Sequence, residues 1–319
     1  MVKYALLVIA GGIFFGTTGT ARALAPDGAD STSVGLVRLV FGGLVLGILS
    51  LILHLRKRGE SEPAEPRRQQ PWPKKLQTAM VVVICASSIM IYQATFFVGT
   101  QSNGVMVGTM VALGSSPLFA GVFEWIVFRR RPGLIWLVAT AICVGGLAAL
   151  SGVLGGSTGP VSVTGLVDSL IAGACYAVLA VGTKWLLQRG WSPLDTAVAT
   201  MMVGAAMGVI PMLRTDLSWL HEPRGMAVAA WLAVATIAVA YLLNITGLSG
   251  TRPSTVTTLN LSEPATASVL GVALLGEPMT LLRGLGIAAV MAGVLLLGFT
   301  TSKAPDGAAA GDGEGRAAG

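Results

Sequence analysis

The sequence predicts an all-α polytopic membrane protein, with ten transmembrane helices arranged as two inverted five-helix repeats. Three observations carry that expectation. Of 319 residues, 53% are hydrophobic and only 11% charged, against about 25% charged in a typical soluble domain. Ten apolar segments each approach the roughly 20 residues needed to cross a bilayer. A shift of 147 residues lays the fourth and fifth segments over the ninth and tenth without a gap: Ser102 falls on Ser249, Pro117 on Pro264, Leu134 on Leu281, Ala141 on Ala288 and Gly146 on Gly293.

In chain order the apolar segments run from about 4 to 23, 33 to 54, 77 to 99, 104 to 127, 134 to 152, 165 to 187, 194 to 213, 226 to 248, 254 to 276 and 281 to 300. The first follows Lys3 and ends near Ala21-Arg22-Ala23, which resembles a leader-cleavage site, but its apolar run is long for a leader and is read as a span. Residues 1–152 form the first five-helix unit and 165–300 the second. Between the second and third segments, residues 55–76 are rich in proline and charge and read as a solvated cytoplasmic connector. The tail 301–319 is low in complexity and is expected to be disordered. A looser match, needing a gap, sets Gly19-Thr20-Ala21-Arg22 against Gly182-Thr183-Lys184. Because five is odd, consecutive units enter the membrane from opposite sides, an arrangement suited to a mid-membrane site and alternating access.

Charge fixes the expected orientation. With the N-terminus inside, sixteen Lys and Arg fall on the inner side and four on the outer, with Arg38 inside the second span. Cytoplasmic loops carry such an excess, so both termini are predicted to be cytoplasmic. The same clustering in short loops accounts for the formal charge of +6 without nucleic acid. Cys85, Cys143 and Cys175 lie in apolar segments without paired spacing, which indicates neither a disulfide framework nor a metal site. His54 and His221 sit at a helix end and in a loop, and no phosphate-binding glycine motif appears. No cofactor is expected. An enzyme would need a nucleophile with its base, or a metal cluster, within the bilayer. Glycine pairs four apart, such as Gly12 and Gly16 or Gly43 and Gly47, read as close helix packing.

The candidate site centres on Glu263. An ionised carboxylate facing lipid is costly, so it is expected to face a cavity or a partner. Thr257, Asn260 and Glu263 recur every three residues and form a polar stripe on the ninth segment. Pro264 has no N–H, which predicts a kink and an unpaired Asn260 carbonyl; Pro117 predicts a matching kink in the fourth segment. Ser115 and Ser116 precede that proline and are candidates for lining the cavity from the first unit. Arg38, Tyr92, Gln93, Tyr176 and Asn244 are further substrate-binding candidates, polar or aromatic groups inside apolar runs. Glu124 and Trp125, beside three arginines, read as rim residues with an ion pair. Glu263 has three candidate jobs: holding a proton, binding a substrate ammonium, or locking helices.

These residues carry a resemblance. GSSPLFAGVFEWIVFRRRP, and more strongly TVTTLNLSEPATASVLGVALLGEPMTLLRGLGIAAVMAGVLLL, resemble the EamA repeat of the drug/metabolite transporter superfamily; SVGLVRLVFGGLVLG with Arg38 is similar to that family's second helix. The resemblance spans about 4 to 300. It implies a ten-helix secondary transporter in a bacterial inner membrane, often an exporter of amino acids or related metabolites. Alternatives are a lipid-linked sugar flippase, a hydrophobic-cation exporter, and a non-transporting membrane scaffold. The first unit departs from the second: Ser116 stands opposite Glu263, Leu113 opposite Asn260 and Arg130 opposite Glu277.

Overall fold

The computed structural model describes residues 2–60, 72–150, 162–276 and 279–301. The middle of the 55–76 connector, Glu277 and Pro278, and the tail after Thr301 lie outside the described residues. The described chain is helical: α1 Val2–Ala23, α2 Ser31–Glu60, α3 Trp72–Phe128, α4 Leu134–Leu150, α5 Val163–Gln188, α6 Pro193–Leu213, α7 Pro223–Trp231, a π-helical stretch Leu232–Val239, α8 Ala240–Ser249, α9 Pro253–Leu259, α10 Ser262–Leu275 and α11 Leu281–Thr301. No strand occurs among the described residues.

Among the described residues, eight helical stretches are long and apolar enough to cross a membrane, and α4 is a shorter apolar helix of 17 residues. Two of the eight, Lys74–Asn103 and Val107–Phe128, are the arms of α3. The chain doubles back between them. A Cβ on Gly108 would lie 2.8 Å from the Thr100 backbone, although eight residues of straight helix rise about 12 Å. Helix α5 packs against both arms, with Gly165 beside Asn103, Gly173 beside Ala112 and Ser115, and Gly182 beside Cys85. Asn103 fixes the turn by donating to the Ser162 carbonyl at 3.0 Å and accepting the Ser162 N–H at 2.6 Å.

The ninth predicted segment is two helices rather than one. Asn260 and Leu261 interrupt it, ahead of Pro264 instead of at it. The Asn260 carbonyl is not left unpaired as the sequence reading expects: it accepts the Glu263 N–H at 2.9 Å. With no N–H available at Pro264, the turn tightens by one residue and the preceding amide takes the bond. At Pro117 helix α3 continues without interruption.

Small residues set the packing, as expected where lipid supplies no hydrophobic contrast between helices. On α1, Gly12 meets Ser262 and the Glu263 N–H, and Gly16 meets the Glu263 carbonyl and Thr266 of α10. On α5, Gly173 meets Ser115, the Ala112 carbonyl and the Ser116 N–H. Helices α4 and α11 touch backbone to backbone. A Cβ on Gly146 would lie 2.8 Å from both the Gly286 carbonyl and the Val290 nitrogen, and one on Gly293 would lie 2.8 Å from the Ala139 carbonyl. Between them Cys143 Sγ donates to the Val290 carbonyl at 3.6 Å. Large apolar side chains such as Leu51, Ile126, Ile210 and Leu281 are exposed on the outside, the surface of a bundle whose solvent is hydrocarbon.

At the end where α1 meets α2, Trp219 is 1% exposed and its indole N–H donates to Ser33 Oγ at 3.0 Å. Nearby, outside the spans, the Ser218 N–H donates to Asp216 at 2.8 Å and holds that carboxyl below its usual range.

Candidate functional site

A cavity of about 420 Å³ lies within the bundle, and Glu263, Asn260, Thr257, Arg38, Tyr92, Gln93, Asn244 and Tyr176 all line it. Residues from α2, α3, α5, α8, α9 and α10 therefore meet at one place, with Phe15 of α1 beside them. Its rim at the α1–α2 end includes the exposed Gly19 and Arg22. Towards the opposite end the lining reaches Leu248 and Val256.

Asn260, at the break between α9 and α10, organises one wall. Its Oδ1 accepts from Asn244 Nδ2 at 2.6 Å, and its own Nδ2 donates to the Tyr176 hydroxyl at 2.8 Å. The interruption permits this, since a residue at a helix end is free to direct its amide across to neighbouring helices. Tyr176 lies 5.8 Å from Tyr92, ring to ring, and Tyr92 stacks on Phe96 at 5.5 Å, giving an aromatic wall. Gln93 donates to the Gly35 carbonyl at 3.1 Å, joining α3 to α2 one turn before Arg38. Thr257 turns its hydroxyl back to the Pro253 and Ser254 carbonyls, at 3.1 and 3.0 Å.

Arg38 and Glu263 differ from these groups. The guanidinium rests 5.9 Å from the centre of the Phe15 ring, and its buried Nε has no hydrogen-bond partner. Glu263 stands in the first turn of α10, where the helix N-terminus favours an anion. Among the described residues the only ion pair within 4.0 Å is Arg252–Glu124, so Arg38 and Glu263 share the cavity without touching. Opposite charges that keep their bonding capacity in one chamber suit a ligand carrying both signs.

Ser115 and Ser116 stand outside the cavity lining. Ser115 donates to Ala112 and Ser116, 1% exposed, to Leu113, each within its own helix, and the pair faces Gly173 of α5. A serine in an apolar helix satisfies itself on the preceding turn, so its presence does not mark a cavity. The structure adds lining residues that the sequence reading passed over: Phe15, Thr18 and Tyr241. Thr18 Oγ1 is buried without a partner, and Tyr241 shares its hydroxyl with Thr200 at 3.2 Å. The signal for Tyr241 was its position three residues before Asn244, on the same helical face. Nothing in the sequence distinguishes Phe15 from the other apolar residues of α1.

Glu124, expected as a rim residue beside three arginines, is instead buried outside the cavity lining and pairs with Arg252 at 3.9 Å, while the Arg131 guanidinium lies 5.3 Å from the Trp125 ring centre. All three cysteines are free, and the described residues hold no group of His, Cys, Asp or Glu able to bind a metal.

A bundle of apolar helices around a chamber with fixed polar groups defines a multi-pass membrane protein that handles a small molecule. The chain belongs to the EamA-like transporter family, whose model matches residues 2–152 and 163–299. It is 32% identical over 303 residues to the uncharacterized transporter YwfM of Bacillus subtilis, covering 94% of this chain and 95% of that one. It is 30% identical over 217 residues to the threonine/homoserine exporter RhtA of Salmonella typhimurium, covering 66% and 68% of the two chains. A protein of known crystal structure shares the fold, with a TM-score of 0.75 at 15% identity over 94% of this chain and 97% of that one. The family and the named relatives are transporters rather than enzymes.

Proposed function

We propose that the protein is a secondary transporter that exports a small zwitterionic metabolite, an amino acid or a close relative, across the bacterial inner membrane by alternating access. One observation carries the reading: Arg38 and Glu263, of opposite charge and not paired with each other within 4.0 Å, line the same cavity, and the buried Arg38 Nε has no hydrogen-bond partner. Arg38 binds the substrate carboxylate, and Glu263 binds the ammonium or exchanges it for a proton. Tyr92, Gln93, Tyr176, Asn244, Asn260 and Thr257 shape and orient the chamber. The threonine/homoserine exporter among the relatives supports this substrate class.

The transport mechanism proposed is that of two inverted five-helix units, with both termini cytoplasmic. Packing supports it. Adding 147 to Ala139, Cys143 and Gly146 gives Gly286, Val290 and Gly293, and the contacts of Gly146 with Gly286 and Val290 return as those of Gly293 with Ala139 and Cys143. In the same way Gly173 meets Ser115 and Ser116, whose counterparts Ser262 and Glu263 meet Gly12.

The test is flux in proteoliposomes across a panel of amino acids, with and without a pH gradient, comparing the native chain with Glu263→Gln. Proton coupling predicts that the variant loses gradient-driven flux and keeps counterflow exchange; unchanged gradient-driven flux refutes that role. A reporter fused after Thr301 is expected to be active only in the cytoplasm, and periplasmic activity overturns the orientation. A second reading, export of an aromatic or hydrophobic cation, draws on the Tyr92–Phe96–Tyr176 wall beside Glu263. It predicts that Arg38→Gln leaves transport intact, whereas a zwitterionic substrate predicts its loss.

A further inference from the structure

A second polar cluster lies outside the cavity, at the turn between α8 and α9. Glu124, near the end of α3, is 1% exposed. Its Oε2 accepts the Ser254 hydroxyl at 2.6 Å and the Ser254 N–H at 3.1 Å, and its Oε1 faces Arg252. From α4, the Trp136 indole N–H donates to the Ser254 carbonyl at 3.0 Å. From α5, Lys184 Nζ donates to the Leu248 and Ser249 carbonyls at 2.8 and 3.0 Å. An ammonium thus closes the carbonyl end of α8 and a carboxylate closes the amide end of α9, each the sign that its helix terminus favours.

The position of the turn gives these contacts a consequence. The cavity lining runs from the exposed α1–α2 end to Leu248 and Val256, and the short stretch of chain that joins those two is clasped at the Leu248 and Ser249 carbonyls and at Ser254. The turn therefore lies just beyond the inner end of the chamber. Three helices hold it there through hydrogen bonds to backbone and one serine, which water at the membrane surface can replace.

We propose that the α8–α9 turn is the cytoplasmic gate, and that Glu124 and Lys184 are positioning residues that latch it shut. This rests on the alternating-access reading above. Neither residue touches substrate; they set how often the chamber opens inward, by a difference in free energy between two states.

The protein carries its own reporter. Cys175 lines the cavity and is half-buried, whereas Cys85 and Cys143 are fully buried. Labelling of Cys175 by a membrane-impermeant maleimide, in right-side-out and inside-out vesicles, reads which face is open. The native chain is expected to label from the external face. Glu124→Gln, Ser254→Ala and Lys184→Met are each expected to raise cytoplasmic labelling about tenfold, the population change that follows from roughly 1.4 kcal/mol. Glu124→Asp, which retains the charge, is expected to fall between native and Glu124→Gln, a graded rescue that a merely structural role does not give. Unchanged cytoplasmic labelling in Ser254→Ala and Lys184→Met, both monodisperse and still labelled from outside, overturns the gate. The readout needs no substrate: if sidedness shifts while no amino acid moves, the gate stands and the substrate reading fails.

Discussion

Asn260 accepts a hydrogen bond from Asn244 at 2.6 Å, which ties α8 to the break between α9 and α10. Because Asn260 also donates to Tyr176 at 2.8 Å, its removal strands two partners at once. Each buried polar group left unpaired costs about 1–3 kcal/mol. Asn260→Ala is expected to lower the thermal midpoint of the purified protein in detergent and to cut flux about tenfold. Asn260→Gln, with the same groups on a longer arm, is expected to regain part of the stability but not the flux, since the amide no longer lies where Tyr176 needs it.

Arg38 separates charge from geometry. Arg38→Lys keeps the positive charge but loses the planar fork that grips a carboxylate through two N–H groups. Its KM for the proposed amino-acid substrate is expected to rise about tenfold, while Arg38→Met is expected to abolish measurable flux at the same concentrations. Equal behaviour of the lysine and methionine variants contradicts a bidentate role.

Gly146 and Gly145 are neighbours with opposite expectations. A Cβ on Gly146 would press on the Gly286 carbonyl at 2.8 Å, whereas one on Gly145 meets nothing within 4 Å. Gly146→Val is expected to cost about 1–3 kcal/mol through overpacking, and Gly145→Ala to stay within about 0.5 kcal/mol of the native chain. Thermal unfolding of the two variants side by side checks this.

Trp219 is buried against α2 and bonded to Ser33, which is itself fully buried. Trp219→Phe removes the donor, and the Ser33 hydroxyl keeps only the bond it donates to the Asp30 carbonyl at 3.2 Å. The expected loss is about 1–3 kcal/mol, read as a lowered melting midpoint together with loosened proteolytic protection of the α6–α7 connection.

Much of the architecture was legible because a bilayer demands long apolar runs, and each of the ten marked segments contains helix. The polar stripe of the ninth segment was legible for a related reason. Thr257, Asn260 and Glu263 have no place in an apolar rod unless something polar meets them, and all three line the cavity. What escaped was whatever depends on a distant partner. Glu124 read as a rim residue, and nothing local announces that it meets Ser254, 130 residues away. The break at Asn260 was placed too late because the missing N–H of Pro264 is compensated upstream, by a tightened turn. Ser115 and Ser116 resembled cavity residues in sequence, but their hydroxyls are spent on their own helix. The π-helical stretch Leu232–Val239, composed of ordinary apolar residues, left no trace at all.

The seam between α4 and α11 has a mechanical meaning. Where Gly146, Gly286 and Gly293 bring two main chains into direct contact, only the Cys143, Leu150 and Val290 side chains reach the seam, and little is available to absorb a displacement. Neither helix can slide gradually past the other without lifting away from it. In the alternating-access cycle proposed above, this line is the expected fulcrum: small tilts there become large excursions at the far tips of the lever arms.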